Sequence, residues 1–140
     1  MVYCLALGKK KESNMDYNLP LKVNQTETTP LLSYDPKNRT FNMSGVSVMK
    51  NAREFYDPVI QWVYGYILSD FSKGGITINV DLEYFGTPSS VVLLRLLKEF
   101  EKIKDKVVVN WMYEEGDDDM KEIGDDLKVM LALELNVIQK

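Results

Sequence analysis

Ten consecutive residues, Ile76 to Phe85, alternate between two kinds of side chain without a break. Ile76, Ile78, Val80, Leu82 and Tyr84 occupy one parity, and Thr77, Asn79, Asp81, Glu83 and Phe85 the other. Period two is the period of a strand, so one face of this segment is apolar and has to be covered. The pattern stops at Gly86-Thr87-Pro88 and another takes over. From Ser89 to Ile103, Val92, Leu93, Leu96, Leu97, Phe100 and Ile103 recur at helical spacing, with Arg95, Lys98, Glu99, Glu101 and Lys102 between them. A strand running into an amphipathic helix calls for a layer of helices over a sheet.

The flanking segments supply the partners. Leu31–Tyr34 and Thr40–Val48 read as strands on either side of the turn Asp35-Pro36-Lys37-Asn38-Arg39, which makes a hairpin. Leu19, Leu21 and Val23 alternate ahead of it as an irregular extended lead-in. Asn51 to Phe71 is helical, with Val59, Trp62, Val63, Tyr66 and Ile67 on one stripe. Pro58 either opens this helix behind an Asp57 cap or bends a longer one. Lys73-Gly74-Gly75 breaks the chain, and Val107–Tyr113 is a buried strand. Met120, Ile123 and Leu127 keep helical spacing. Residues 128–138 suit a helix or a strand, and we take them as the end of a short helix and then a final strand. The order ββαβαβα(β) predicts an α/β fold: one domain with a four- to five-stranded mixed sheet and helices packed against it.

The chain of 140 residues suits one core, over residues 21–140, behind an extension of residues 1–20 expected to be flexible. Its net charge of −4 gives no basic excess for nucleic acid. No apolar run is long enough to insert into a membrane. A single cysteine, Cys4, fits a reducing, cytoplasmic setting. Histidine is absent, which removes histidine bases, His-containing triads and most zinc sites. The basic cluster Lys9-Lys10-Lys11 follows a short apolar start, the wrong order for a signal peptide, and Met15 is an alternative start. Nothing calls for a cofactor or metal.

Three serine and threonine hydroxyls crowd the junction Tyr84-Phe85-Gly86-Thr87-Pro88-Ser89-Ser90. Thr87 before Pro88 has the form of a helix N-cap. The same place suits a regulatory phosphate on Thr87, or in second place Ser89, facing free N–H groups and the positive helix end. The acidic run Glu114-Glu115-Gly116-Asp117-Asp118-Asp119 reads as a solvated helix start, with Mg²⁺ as the rival occupant. Phe55, Tyr56, Trp62, Tyr64 and Tyr66 read as core plus a contact surface. Two other functions stay open: an Asp/Glu acid–base enzyme near Trp111 and Tyr113, and a structural oligomer built on the apolar helix. The oligomeric state is open too.

Taken together, several pieces resemble the SiaC-type regulatory phosphoproteins. They are Thr26-Glu27-Thr28-Thr29-Pro30, Gly45-Val46-Ser47, Asn51-Ala52-Arg53-Glu54-Phe55-Tyr56-Asp57-Pro58 with Trp62 and Tyr66, the junction itself, Val109-Asn110-Trp111-Met112-Tyr113, and Asp117-Asp118-Asp119-Met120 with Gly124. The resemblance covers about residues 24–138. Gly86, Pro88 and Val91 stand where that family carries asparagine, serine and lysine. The resemblance implies a STAS-like fold, as in anti-sigma-factor antagonists, and no catalysis. It implies a partner switch: a kinase phosphorylates Thr87, a PPM-type phosphatase reverses this, and the unphosphorylated form binds a diguanylate cyclase and raises cyclic-di-GMP output. A switch with another output is the alternative. Partner contacts are expected at Tyr84, Phe85, Gly86, Pro88, Ser89, Ser90, Phe55, Tyr56, Asp117 and Asp119.

Overall fold

The computed structural model describes residues 15–140, so Cys4, Lys9-Lys10-Lys11 and the rest of residues 1–14 lie outside the described residues. The described residues form six strands in one sheet, ordered in space as in the chain. These are β1 (Leu21–Val23), β2 (Leu31–Asp35), β3 (Thr40–Ser47), β4 (Ile76–Phe85), β5 (Val107–Tyr113) and β6 (Glu134–Gln139). The first three pair antiparallel, and β3 through β6 pair parallel. Helices α1 (Ala52–Leu68), α2 (Thr87–Glu99) and α3 (Asp118–Met130) make the crossovers. Short 3₁₀ turns at Asp70–Gly74 and Phe100–Lys106 follow the first two helices.

The strand count exceeds the expected four to five because the lead-in is a strand. Leu21 lies opposite Tyr34 and Val23 opposite Leu32, and both are buried. Three residues are too few to show a period, so pairing with β2 defines this strand. The ambiguous C-terminal stretch divides as anticipated, with helix to Met130 and then β6.

Every parallel crossover steps one strand over in the same direction. Right-handed crossovers of that kind place all their helices on one face of the sheet. Burial follows suit: Ile76, Ile78, Val80 and Leu82 of β4 are buried, while Thr77, Asn79 and Asp81 are half-exposed. The far face carries a row of amides. Asn42, Asn79, Asn110 and Asn136 stand in register on β3 to β6. Each Nδ2 donates to the Oδ1 of the neighbour nearer β3, at 2.9 Å, 2.9 Å and 3.1 Å.

The helix-side core is rich in rings. Trp62 and Tyr66 of α1 stack at 5.3 Å, with Tyr34 and Phe41 against Trp62. Tyr17 packs edge-on to both α1 rings, is 5% exposed, and donates its hydroxyl to the Trp62 carbonyl at 3.2 Å. Tyr17 therefore packs into the helix-side core ahead of residue 21.

Helix α1 is one helix capped by Asn51, whose side chain accepts from Glu54 N at 3.3 Å. Asp57 caps nothing, and Pro58 lies inside the helix. An interior proline removes one hydrogen bond and crowds the preceding turn. Pro58→Ala should therefore stabilise the fold by about 1–3 kcal/mol, read as a higher urea midpoint.

Candidate functional site

The C-terminal ends of β3, β4 and β5 open onto one end of the sheet. In open sheets with helical crossovers, that is the end where ligands and partners are met. A bulge shapes it. Leu82 lies opposite Gly45, but Tyr84 lies opposite Val46, which leaves Glu83 as the extra residue. Beyond a bulge the alternation inverts. Phe85 therefore turns inward, with its ring 5.9 Å from Trp111, and Tyr84 turns out to 63% exposure. This corrects the uninterrupted alternation read from sequence.

The helix beyond the bulge begins one residue earlier than the Thr87 cap would have it. Gly86 is the N-cap, extended at φ −91° and ψ 173°, and Thr87 is the first helical residue. Gly86 N donates to the Ser47 carbonyl at 2.9 Å, which prolongs strand pairing and delivers the chain into the helix. No side chain caps α2, whereas Asn51 and Asp117 cap α1 and α3. The Thr87 side chain is exposed, and its hydroxyl makes no hydrogen bond among the described residues. It is not committed to holding the helix.

The other two hydroxyls have work in the fold. Ser90 Oγ donates to the Thr87 carbonyl at 2.7 Å. Ser89 is 1% exposed and accepts from Ser47 Oγ at 2.8 Å. Ser47 in turn lies 2.8 Å from the Tyr56 hydroxyl, and Ser89 Oγ points to Met49 Sδ at 3.4 Å. This buried chain ties β3, α1 and α2 together beneath the junction. Ser89, the second-choice acceptor, is inaccessible here. Tyr56, a predicted partner contact, is fully buried.

Burial pushes the Tyr56 phenol up to about 12, against a smaller lowering by its bond to Ser47. A tyrosine whose folded pKa exceeds its unfolded value stabilises the fold below the unfolded pKa, and this is lost as pH rises through the folded one. Stability should fall between about pH 10 and pH 12, by up to about 1.4 kcal/mol per pH unit for this group. Urea titrations across that range should show a shallower loss in Tyr56→Phe.

A groove of about 250 Å³ lies between α2 and α3, beside the junction. Phe85, Ser90, Val91, Leu94, Ile123 and Met130 line it, and Val91 and Met130 are 65% and 53% exposed. Trp111 is fully buried beneath. Of the other predicted contacts, Pro88 and Asp119 are exposed, while Gly86, Phe55 and Asp117 are half-buried. Phe55 meets Tyr56 edge-on at 4.8 Å. Asp117 accepts from Met120 N at 3.1 Å, the role of a helix cap. Sequence reading missed Ser47, Val91, Ile123 and Met130. The stretch Gly45-Val46-Ser47 was noticed, but Val46 and Val48 were read as the apolar positions past Gly45, whereas Ser47 keeps the inward parity of Phe41 and Met43.

No described helix is long and apolar enough to cross a membrane. Comparison with known proteins adds the following. No curated protein matches the sequence. Three solved structures from Pseudomonas aeruginosa share the fold. SiaC in complex with the diguanylate cyclase SiaD, which it activates, matches at TM-score 0.76 and 20% identity, covering 86% of this chain and 99% of that one. SiaC by itself matches at 0.76 and 19%, covering 87% and 99%. Apo-SiaC matches at 0.71 and 20%, covering 86% and 98%. A model of the SiaC family regulatory phosphoproteins matches residues 23–140, and the chain belongs to that family.

Proposed function

We propose that this chain is a non-catalytic switch in which phosphorylation of Thr87 controls the docking of a partner at the α2–α3 groove. One observation carries the reading. Of the three serine and threonine hydroxyls of the junction, that of Thr87 alone is both exposed and unbonded, at the start of a helix with no side-chain cap. A phosphate there meets unused N–H groups and the positive helix end. It brings about −2 of charge within one turn of Ser90 and Val91, which line an apolar groove. A partner that buries Val91 and Met130 would have to cover that charge, so the unphosphorylated form is the binding form. Family membership supports the regulatory role, and the activation of a cyclase by Pseudomonas SiaC supports a diguanylate cyclase as output. A kinase and a phosphatase complete the cycle, in the cytoplasm.

The test is recovery of the chain from its native cells with phosphatase inhibitors, followed by phosphosite mapping and capture of cyclase by each form. The expected result is phosphate on Thr87 and cyclase retained by the unmodified form only. Phosphate solely at other residues, or equal capture by both forms, would sink the reading.

A further inference from the structure

The amide row on the open face ends at the free edge of the sheet. We propose that β6 is a strand-addition site for an extended segment of a partner protein carrying an asparagine or glutamine side chain in register with Asn136. This does not rest on the modification of Thr87.

Three observations converge on that edge. First, β6 pairs only with β5. Lys140 N donates to the Tyr113 carbonyl at 2.9 Å, which fixes the phase of the ladder. By alternation, the main-chain groups of Leu135, Val137 and Gln139 face outward, ready for another strand.

Second, the edge lacks the usual protection. Sheet edges are normally blunted by charge, proline, a bulge or brevity. The opposite edge follows this rule, since β1 has three residues and an exposed Lys22. In β6 only the first residue, Glu134, is charged; the following Leu135-Asn136-Val137-Ile138-Gln139 has no charge and no proline, and Ile138 is 39% exposed. The adjoining Lys140 turns over the sheet face to Asp81 at 2.6 Å instead of guarding the edge.

Third, the amide row is polar and open. Asn136 donates to Asn110, which donates to Asn79, which donates to Asn42. Aligned amides polarise one another, so the terminal acceptor is the strongest of the row. Asn136 Oδ1 accepts from nothing among the described residues. Main-chain pairing would supply affinity, and the amide position would supply specificity. An aliphatic side chain at that register would cover the Asn136 oxygen without pairing it. A second copy is the poorer occupant, because a twofold pairing centred on Asn136 sets two amide oxygens against each other.

The experiment titrates the full ¹⁵N-labelled chain with a short synthetic peptide alternating Thr and Val around a central Asn, and with the same peptide carrying a central Leu. Amide shifts should concentrate at Leu135, Val137 and Gln139 and at the Asn136 side chain, with the Asn peptide binding roughly tenfold more tightly. Asn136→Leu, checked for an intact spectrum, should erase that preference. Three results would overturn the proposal: no β6 shifts at millimolar peptide, equal affinity for the two peptides, or sedimentation showing a dimer whose contact covers β6. Should Asn136→Leu fail to fold, the two peptides on the unaltered chain still decide.

Discussion

Replacing Thr87 by alanine should abolish phosphate incorporation while leaving stability within about 0.5 kcal/mol of the parent. The first half follows from accessibility. Ser89 is 1% exposed, and Ser90 is engaged with the Thr87 carbonyl. The second half follows from the cap. Gly86, not Thr87, occupies the cap position, and the Thr87 hydroxyl holds nothing. Intact-mass analysis after co-expression with the cognate kinase, paired with urea melts, reads both halves. Ser89→Ala is the contrasting variant. It breaks the buried chain from Tyr56 through Ser47, and should cost about 1–3 kcal/mol while the chain remains a kinase substrate. If Thr87→Ala destabilised the fold and Ser89→Ala abolished phosphorylation, the assignment would be reversed.

Trp111→Ala should have the largest effect on stability, a loss of about 3–5 kcal/mol and a melting temperature lower by roughly 10–15 °C. Trp111 is fully buried, meets Phe85 edge-on, and donates its indole N–H to the Met120 carbonyl at 2.9 Å. Gly124 of α3 lies so close that an added Cβ would come within 2.5 Å of Trp111 Cδ1. Truncation therefore leaves a cavity beneath the groove, a Met120 carbonyl without its second donor and an unsupported Phe85 beside the junction. Partner docking should weaken along with the melting temperature, whereas Thr87 should remain modifiable. Differential scanning calorimetry gives the first number, and binding of the native partner gives the second. A melting temperature within a few degrees of the parent would show that α3 repacks onto the sheet without the ring.

The legible part of this fold is the part with a period. Strand β4 and the first hairpin were visible because their buried and exposed residues alternate, β5 because it is a short, largely apolar run, and α2 and α3 because their stripes recur at helical spacing. Strand β1 was visible only as an irregular extended lead-in, from the alternation of Leu19, Leu21 and Val23, because the three residues that pair are too few to mark a strand of the sheet. The bulge at Glu83 was hidden for a different reason. It comes from the register against β3, and a strand read by itself shows only unbroken alternation. The start of α2 was misplaced because the residue before a proline is normally kept out of the helix. Here Gly86, held extended by its bond to the Ser47 carbonyl, takes the cap position, and Thr87 enters the helix. The groove and the amide row join residues far apart in the chain. Asn42, Asn79, Asn110 and Asn136 look like scattered polar residues until the strands that carry them are aligned.

A sheet whose spatial order repeats its sequence order has a consequence for how the protein is made. Each interior strand of this sheet pairs with the strand synthesised just before it and the one just after. No pairing therefore spans more than one crossover, which keeps the loops to be closed as short as a parallel sheet allows. Synthesis from the N-terminus lets the hairpin form first and each βα unit dock as it emerges. No strand must wait to be inserted between two others. From β3 onward the growing edge accepts its next neighbour in parallel, so the ribosome adds the strands in the order in which the sheet accepts them.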